Sequence, residues 1–343
     1  MQALTRRSAI GWLLSLPLTK RTMAAEAPSA LHPLPTPGVG FISSMRLAPG
    51  PALRLLVADD GANVGRRCLL AVELLAGAEP ALLTGPHLVA ELPGRLDWDA
   101  RLTALGWQVV TLEAGSGVAP LLLLSPPDYR RQPVDAQNRR GIFSKPRFTG
   151  DDGSIIAVKV DDDQRIALYL AGAGGSPAVR QLIDVPLAGP LQDVQRIAWR
   201  GGWLLAMQTF MPGPYRLQGA GAAAMVLRSG RLKLQLLNKD GSAVGEPWSP
   251  LGDRAIFEFA IAAGGDTLGL LATTSDGWVF TRGVPDAQGR GLLSVEERGL
   301  GELRSPCLQF LTQSWRLLVL RAAVSTVPPA PQVLWCDWPE AHR

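Results

Sequence analysis

Few residues in this chain could do chemistry of their own. Only His32, His87 and His342 could serve as histidine bases or ligands, and none stands at ligand spacing with another histidine or with Cys68, Cys307 or Cys336. That spacing supports neither a histidine-bound metal nor a histidine-activated nucleophile, and no Gly-x-Ser-x-Gly elbow occurs. "AGAGGSPA" (171–178) and "QGAGAAA" (218–224) are glycine-rich. Neither carries the Gly-x-Gly-x-x-Gly or Lys-Ser/Thr of a phosphate cradle, so both read as interstrand loops. "GDDGS" (150–154) and "VDDDQ" (160–164) offer oxygen ligands to calcium. Three adjacent aspartates cannot all face one ion, so these clusters read as solvated hairpin tips. No catalytic residue, metal ligand or cofactor is assigned.

The densest charge lies in "DYRRQPVDAQNRRGIFSKPRF" (128–148), where Arg130, Arg131, Arg139, Arg140, Lys145 and Arg147 face only Asp128 and Asp135. Two prolines, Pro133 and Pro146, argue against a regular helix or a central strand across it. The expectation is an irregular basic loop presenting arginine forks to a protein or an anionic envelope component.

The rest of the chain is not basic. Residues 1–27 hold Arg6, Arg7, Lys20 and Arg21 against Glu26, and without them 30 basic residues stand against 29 acidic ones. Nucleic acid is therefore not an expected partner. Those residues have the three parts of an export signal: a basic start, an apolar run over Ala9–Leu18, and small residues around Ala24–Ala30. The run is too short for a stable membrane span. Thr5-Arg6-Arg7 resembles the twin-arginine signal, with Ala9 and Ile10 where that pattern has Phe and Leu; the general secretory route is the alternative. Cleavage could follow Ala27 or Ala24. A periplasmic, monomeric protein without a membrane span in its mature chain is expected.

Beyond the leader, short apolar segments such as "ALRLLVA" (52–58), "WQVVTL" (107–112), "SIIAVKV" (154–160) and "TLGLLATT" (267–274) have the length and period of strands. The 37 Gly and 28 Pro are spread along the chain as punctuation. Asp-Gly pairs at 60–61, 152–153, 240–241 and 276–277, and Ser229-Gly230, suggest tight hairpins. One stretch, "RLDWDARLTALG" (95–106), has near-helical leucine spacing and predicts a short helix.

Segments that precede a polar corner recur at Met45, Trp98, Phe148, Ala198, Phe259 and Phe310, about fifty residues apart, a propeller period. The fold class is therefore all-β: a β-propeller of about six four-stranded blades over residues 28–343, or seven if 49–126 holds two small ones. Trp199, Trp203, Trp278 and Trp315 should fill the wedges between blades. Cys307 and Cys336, both in the last repeat, could pair in an oxidising compartment.

Pro146, Phe148, Asp152, Gly153, Ile156, Ala157 and the Ala167-Leu168-Tyr169-Leu170 segment give one unit that resembles the repeats of periplasmic propellers of the Tol type. The resemblance implies the propeller and its compartment. Function is expected to be binding or scaffolding; the alternative is a hydrolase or cofactor-dependent oxidoreductase with its site at the central channel.

Overall fold

The computed structural model describes residues 31–34, 36, 39–60, 66–75, 81–93, 97–112, 121–134, 142–149, 153–160, 166–171, 190–218, 225–286, 290–322 and 331–340. All regular structure among them is β. β2 (Ile42–Leu47), β3 (Leu53–Asp59), β4 (Arg66–Leu75) and β5 (Ala81–Pro93) form one antiparallel sheet, and β6 (Trp98–Thr103), β7 (Gly106–Leu112), β8 (Leu121–Leu124) and β9 (Arg131–Pro133) the next. β10 (Ile142–Thr149), β11 (Ser154–Val160) and β12 (Ile166–Ala171) form a three-stranded sheet. β13 (Leu191–Trp199), β14 (Gly202–Gln218), β15 (Met225–Leu237) and β16 (Ala243–Trp248) follow, then β17 (Glu258–Gly264), β18 (Thr267–Thr273), β19 (Gly277–Gly283) and β20 (Leu292–Arg298). In the last sheet β21 (Leu303–Phe310), β22 (Ser314–Arg321) and β23 (Gln332–Pro339) are joined by β1 (His32–Leu34), which pairs with β23 as the outermost strand.

The first strands of these sheets, β2, β6, β10, β13, β17 and β21, touch in succession and β21 returns to β2, which closes a ring. The all-β propeller is thus the observed architecture. The six recurring positions read from the sequence lie on those six strands. The count of six four-stranded blades is corrected to five four-stranded sheets, because the sheet beginning at β10 carries three strands among the described residues.

Apolar layers lie between adjacent sheets. Middle strands read as continuous apolar runs because both of their faces are covered: β18 and β22 are buried over nearly their full lengths, whereas the outer β20 and β16 are mostly exposed or half-buried. Trp199 packs between the β13–β16 and β17–β20 sheets, and Trp278 and Trp315 between the latter and the last sheet. The layer with Trp278 and Trp315 is built from edge-on aromatic contacts, such as Phe280 to Trp315 at 5.9 Å.

Three expectations fail for local reasons. Over the described part, 97–106, the helix predicted for 95–106 is replaced by the turn and strands of the β6–β7 hairpin: Trp98, Ala100 and Leu102 alternate onto one apolar layer, while Leu105 is exposed in the turn. Ser229-Gly230 is no turn. Gly230 lies inside β15 and exchanges backbone hydrogen bonds with Ile256 (2.8 and 2.9 Å), and an added Cβ would meet the Thr209 carbonyl oxygen at 2.6 Å. Cys307 and Cys336 are free. They lie on β21 and β23 with β22 between them, opposite Leu318 and Leu317, and they join different apolar layers on opposite faces of that sheet.

Tight inter-sheet packing yields a direct test. Gly269 lies on β18, and a Cβ there would collide with the Trp315 ring. Gly269→Ala should lower stability by about 1–3 kcal/mol through overpacking, read as a lower urea midpoint. An unchanged midpoint would show that the layer between these sheets can give way.

Candidate functional site

The inner strands carry the polar residues of the fold's centre, and irregularities in them set where those residues point. β10 contains Pro146, which lacks a ladder donor, and its register slips between Ser144 and Arg147. Lys145, just before that proline, has φ +50°. β21 repeats the device: its register slips between Arg304 and Cys307 around Pro306, and Ser305 has φ +47°. In the ring order β10 and β21 are three strands apart, so the two bulges face each other across the axis. A non-glycine residue at positive φ costs about 1–3 kcal/mol and persists only where its surroundings hold it.

Here the surroundings are acidic side chains from the preceding inner strand or the residue just before it. Asp97 accepts the Lys145 backbone N–H (3.3 Å) and its ammonium (3.0 Å). Glu258 accepts the Ser305 backbone N–H at 2.8 Å. Similar contacts join every other neighbouring pair in the ring. Asp99 accepts from Arg46 on β2 and from the Phe148 backbone N–H on β10 (2.8 Å). Arg147 donates to Asp193 on β13 (2.9 Å), and Arg196 donates to Thr149 (2.9 Å). Gln195 bridges to β17, donating to the Phe259 carbonyl (2.7 Å) and accepting from the Ile261 N–H (3.2 Å). The Met45 N–H donates to Ser305 Oγ at 3.3 Å, which completes the circuit.

Within this circuit lies a cavity of about 440 Å³. Seven cationic and five acidic residues line it, together with Trp98, Phe148 and Gln195. Burial works to raise the Asp97 carboxyl, but the Lys145 charge, its hydrogen bonds and Arg147 outweigh it and hold Asp97 below its ordinary value. Lys145 is the reciprocal case: burial works to lower it, and Asp97 and Asp193 carry it upward. Arg147 is likewise raised, because Asp193, Asp99 and Asp97 outweigh burial. All three stay charged at neutral pH. Burial pushes the Cys307 thiol up to about 11, so it is no ready nucleophile.

The structure divides the basic stretch read from the sequence. Arg130 pairs with Asp128 at 2.8 Å on the exterior, and Arg131 lies exposed on the outermost strand of its sheet. Lys145 and Arg147 belong to the innermost strand of the next sheet and line the cavity. Residues 142–149 are therefore not part of an irregular loop; the bulge accommodates Pro146 within a strand. Arg139 and Arg140 lie outside the described residues, as do Arg6 and Arg7 and the aspartates at 151–152 and 161–163. Sequence reasoning missed Asp97, Asp99, Asp193, Gln195 and Glu258. Their signal is the repeat period itself, since each meets a partner 46 to 66 residues away. Among the described residues no group of three or more His, Cys, Asp or Glu could hold a metal ion, and no helix is long and apolar enough to cross a membrane.

Two tests follow from this circuit. Asp99→Ala removes both the Arg46 carboxylate and the acceptor of the Phe148 N–H and should destabilise by about 3–5 kcal/mol, whereas Arg46→Met with Asp99→Asn, which keeps an acceptor for that N–H, should cost much less; chemical denaturation of both variants checks this, and equal losses would count against it. Asp97 titrates below its ordinary value of 3.8, so its contribution is present above that value and fades as pH falls through the folded one. Asp97→Asn should lower stability at neutral pH and flatten the fall of the urea midpoint between about pH 5 and 2. An acid limb as steep as the parent's would refute the assignment.

No protein-family model matches the sequence, and no curated protein matches it either. Solved structures do resemble it. The subtype N10 neuraminidase-like protein of A/little yellow-shouldered bat/Guatemala superposes with a TM-score of 0.55 at 11% identity, over 92% of this chain and 99% of its own. The SapL1 lectin, in complex with alpha methyl fucoside, superposes with a TM-score of 0.51 at 9% identity, over 88% of this chain and 97% of its own. At such identities the likeness concerns the fold alone, and it agrees with the ring of sheets: the chain is an all-β propeller.

Proposed function

We propose that this chain is a binding module whose ligand, a small polar molecule bearing an anionic group, seats in the central cavity. One observation carries the reading: Lys145 is held at a strained position so that its ammonium lines the cavity, and among the described residues its side chain pairs only with Asp97. An ammonium has three donors, so two remain for a ligand. Asp97, Asp193 and Gln195 supply acceptors and a donor that would orient hydroxyl or amide groups around it. In this reading the anionic partner expected from the sequence meets Lys145 and Arg147 in the channel, and Arg130 and Arg131 take no part.

We further propose that the protein works as a monomer in the periplasm, reached through the twin-arginine signal at Arg6 and Arg7, and that the β10–β12 sheet counts as a sixth blade of the ring. The guanidinium pair is what such recognition reads, so Arg6→Lys with Arg7→Lys should abolish export although charge is kept. Fractionation of cells expressing either form checks this; normal export of the double variant would point to the general secretory route.

Binding is tested by calorimetry with inorganic phosphate, a uronic acid monosaccharide and, as the neutral control, alpha methyl fucoside. At least one anion should bind the parent, and Lys145→Ala should weaken it by about tenfold or more, the loss of one charge-assisted contact. Equal affinity in the variant, or preference for the neutral sugar, would overturn the reading. Turnover of a bound sugar would move the protein to the enzymes.

A further inference from the structure

The β14–β15 hairpin is longer than its sheet needs. β13 follows β14 only as far as Thr209, yet β14 continues to Gln218 and pairs with β15 from Tyr215↔Arg228 to Gln218↔Met225. A register shift between Phe210 and Tyr215, over Pro212, Gly213 and Pro214, redirects this extension. It is fastened at two places. Gly230 pairs with Ile256, just ahead of β17. Farther out, Arg216 donates to the Leu303 carbonyl at the start of β21 (2.6 Å) and to the Thr274 carbonyl, and its guanidinium lies 4.0 Å from the centre of the Phe257 ring. The extension thus spans from its own sheet, past the β17–β20 sheet, to the strand that begins the last one.

Arg216 is more than nine-tenths buried and, among the described residues, forms no ion pair with a carboxylate. A buried guanidinium held only by carbonyls and a ring face is a weaker anchor than one paired with a carboxylate. Directly across the hairpin from it stands Leu227, and Leu227 lines the central cavity. The fastening of Arg216 therefore sets where Leu227 stands.

We propose that Arg216 is a positioning residue for the central site: it fastens the β14–β15 extension so that Leu227 walls one side of the cavity and limits the size of the molecule admitted. This rests on the reading of the cavity as the binding site, but access can be measured without a ligand. Ala260 on β17 lines the same cavity, and Ala260→Cys supplies a reporter thiol there. Its modification by N-methylmaleimide and by the bulkier fluorescein maleimide is followed by mass spectrometry, which resolves it from Cys68, Cys307 and Cys336. In the parent background the small reagent should react far faster than the large one. Adding Arg216→Ala should raise the large-reagent rate about fivefold or more while the small-reagent rate changes little, as release of a gating segment predicts. Arg216→Lys, which keeps the charge but not the fork, should fall between. Leu227→Ala leaves the fastening intact and should produce the same rise, so the proposal stays testable if Arg216→Ala fails to fold. An unchanged rate ratio in these variants overturns it, as does a parallel rise at Cys336, which belongs to a different apolar layer and would report opening of the whole sheet. A raised ratio with no anion bound in the calorimeter would keep the latch and sink the ligand reading; anion binding with an unchanged ratio would do the reverse.

Discussion

A propeller places the exposed edge of one strand from every sheet at its centre, and an edge leaves backbone N–H and C=O groups without ladder partners. Much of this molecule's central chemistry answers that constraint. The Lys145, Phe148, Met45, Ile261 and Ser305 amides and the Phe259 carbonyl are each met by a side chain from a neighbouring blade: Asp97, Asp99, Ser305, Gln195, Glu258 and Gln195 again. Carboxylates suit the task because a hydrogen bond to a charged acceptor is stronger than one between neutral groups. Each then brings a negative charge into a partly buried space, and Arg46, Lys145 and Arg147 are the compensation. The charged lining that makes the cavity a candidate binding site and the clasps that close the ring are thus largely one set of residues.

That overlap explains why the fold was legible in the sequence and the site was not. Strand length, strand period and the fifty-residue recurrence depend on local patterning, which survives in a single chain. Trp98, Phe148 and Phe259 marked inner strands because each blade repeats the same burial. Asp97, Asp193 and Glu258 show no such local pattern: their meaning lies in a partner one blade away. The basic stretch over 128–148 misled for the mirror reason. Its cations are close in sequence, but the chain crosses from the outermost strand of one sheet to the innermost strand of the next between Arg131 and Lys145. The helix expected over 95–106 rested on three leucines, whereas the alternation of Trp98, Ala100 and Leu102 onto a buried layer outweighed their spacing.

The paired bulges at Lys145-Pro146 and Ser305-Pro306 show how the same local fault serves two purposes. In each, proline removes a ladder bond, the preceding residue adopts positive φ, and an acid at the neighbouring inner strand captures the freed N–H. In β21 the residue so displaced is a small serine, and it closes the ring against Met45. In β10 it is a lysine, long enough to reach its clasp and still line the cavity. One backbone device thus sets two different side chains in the cavity wall, a neutral hydroxyl on one side of the axis and an ammonium on the other.

The pairing of β1 with β23 sets His32 opposite Trp335 and Leu34 opposite Val333. Covalently the molecule is a line, but spatially it is a circle whose first and last described strands lie side by side in a shared sheet. Where the chain is cut is then a matter of sequence order rather than of architecture. A short linker from the β23 end to the β1 end, with new ends opened between the exposed Lys239 and Asp240 ahead of β16, would leave the sequence of every strand uninterrupted. The circle also makes the last sheet a long-range assembly, since its outer strand is supplied from some three hundred residues upstream. Long-range pairing of that kind is slow compared with local hairpins, and β1 covers the outer edge of β23 only from Val333 to Trp335.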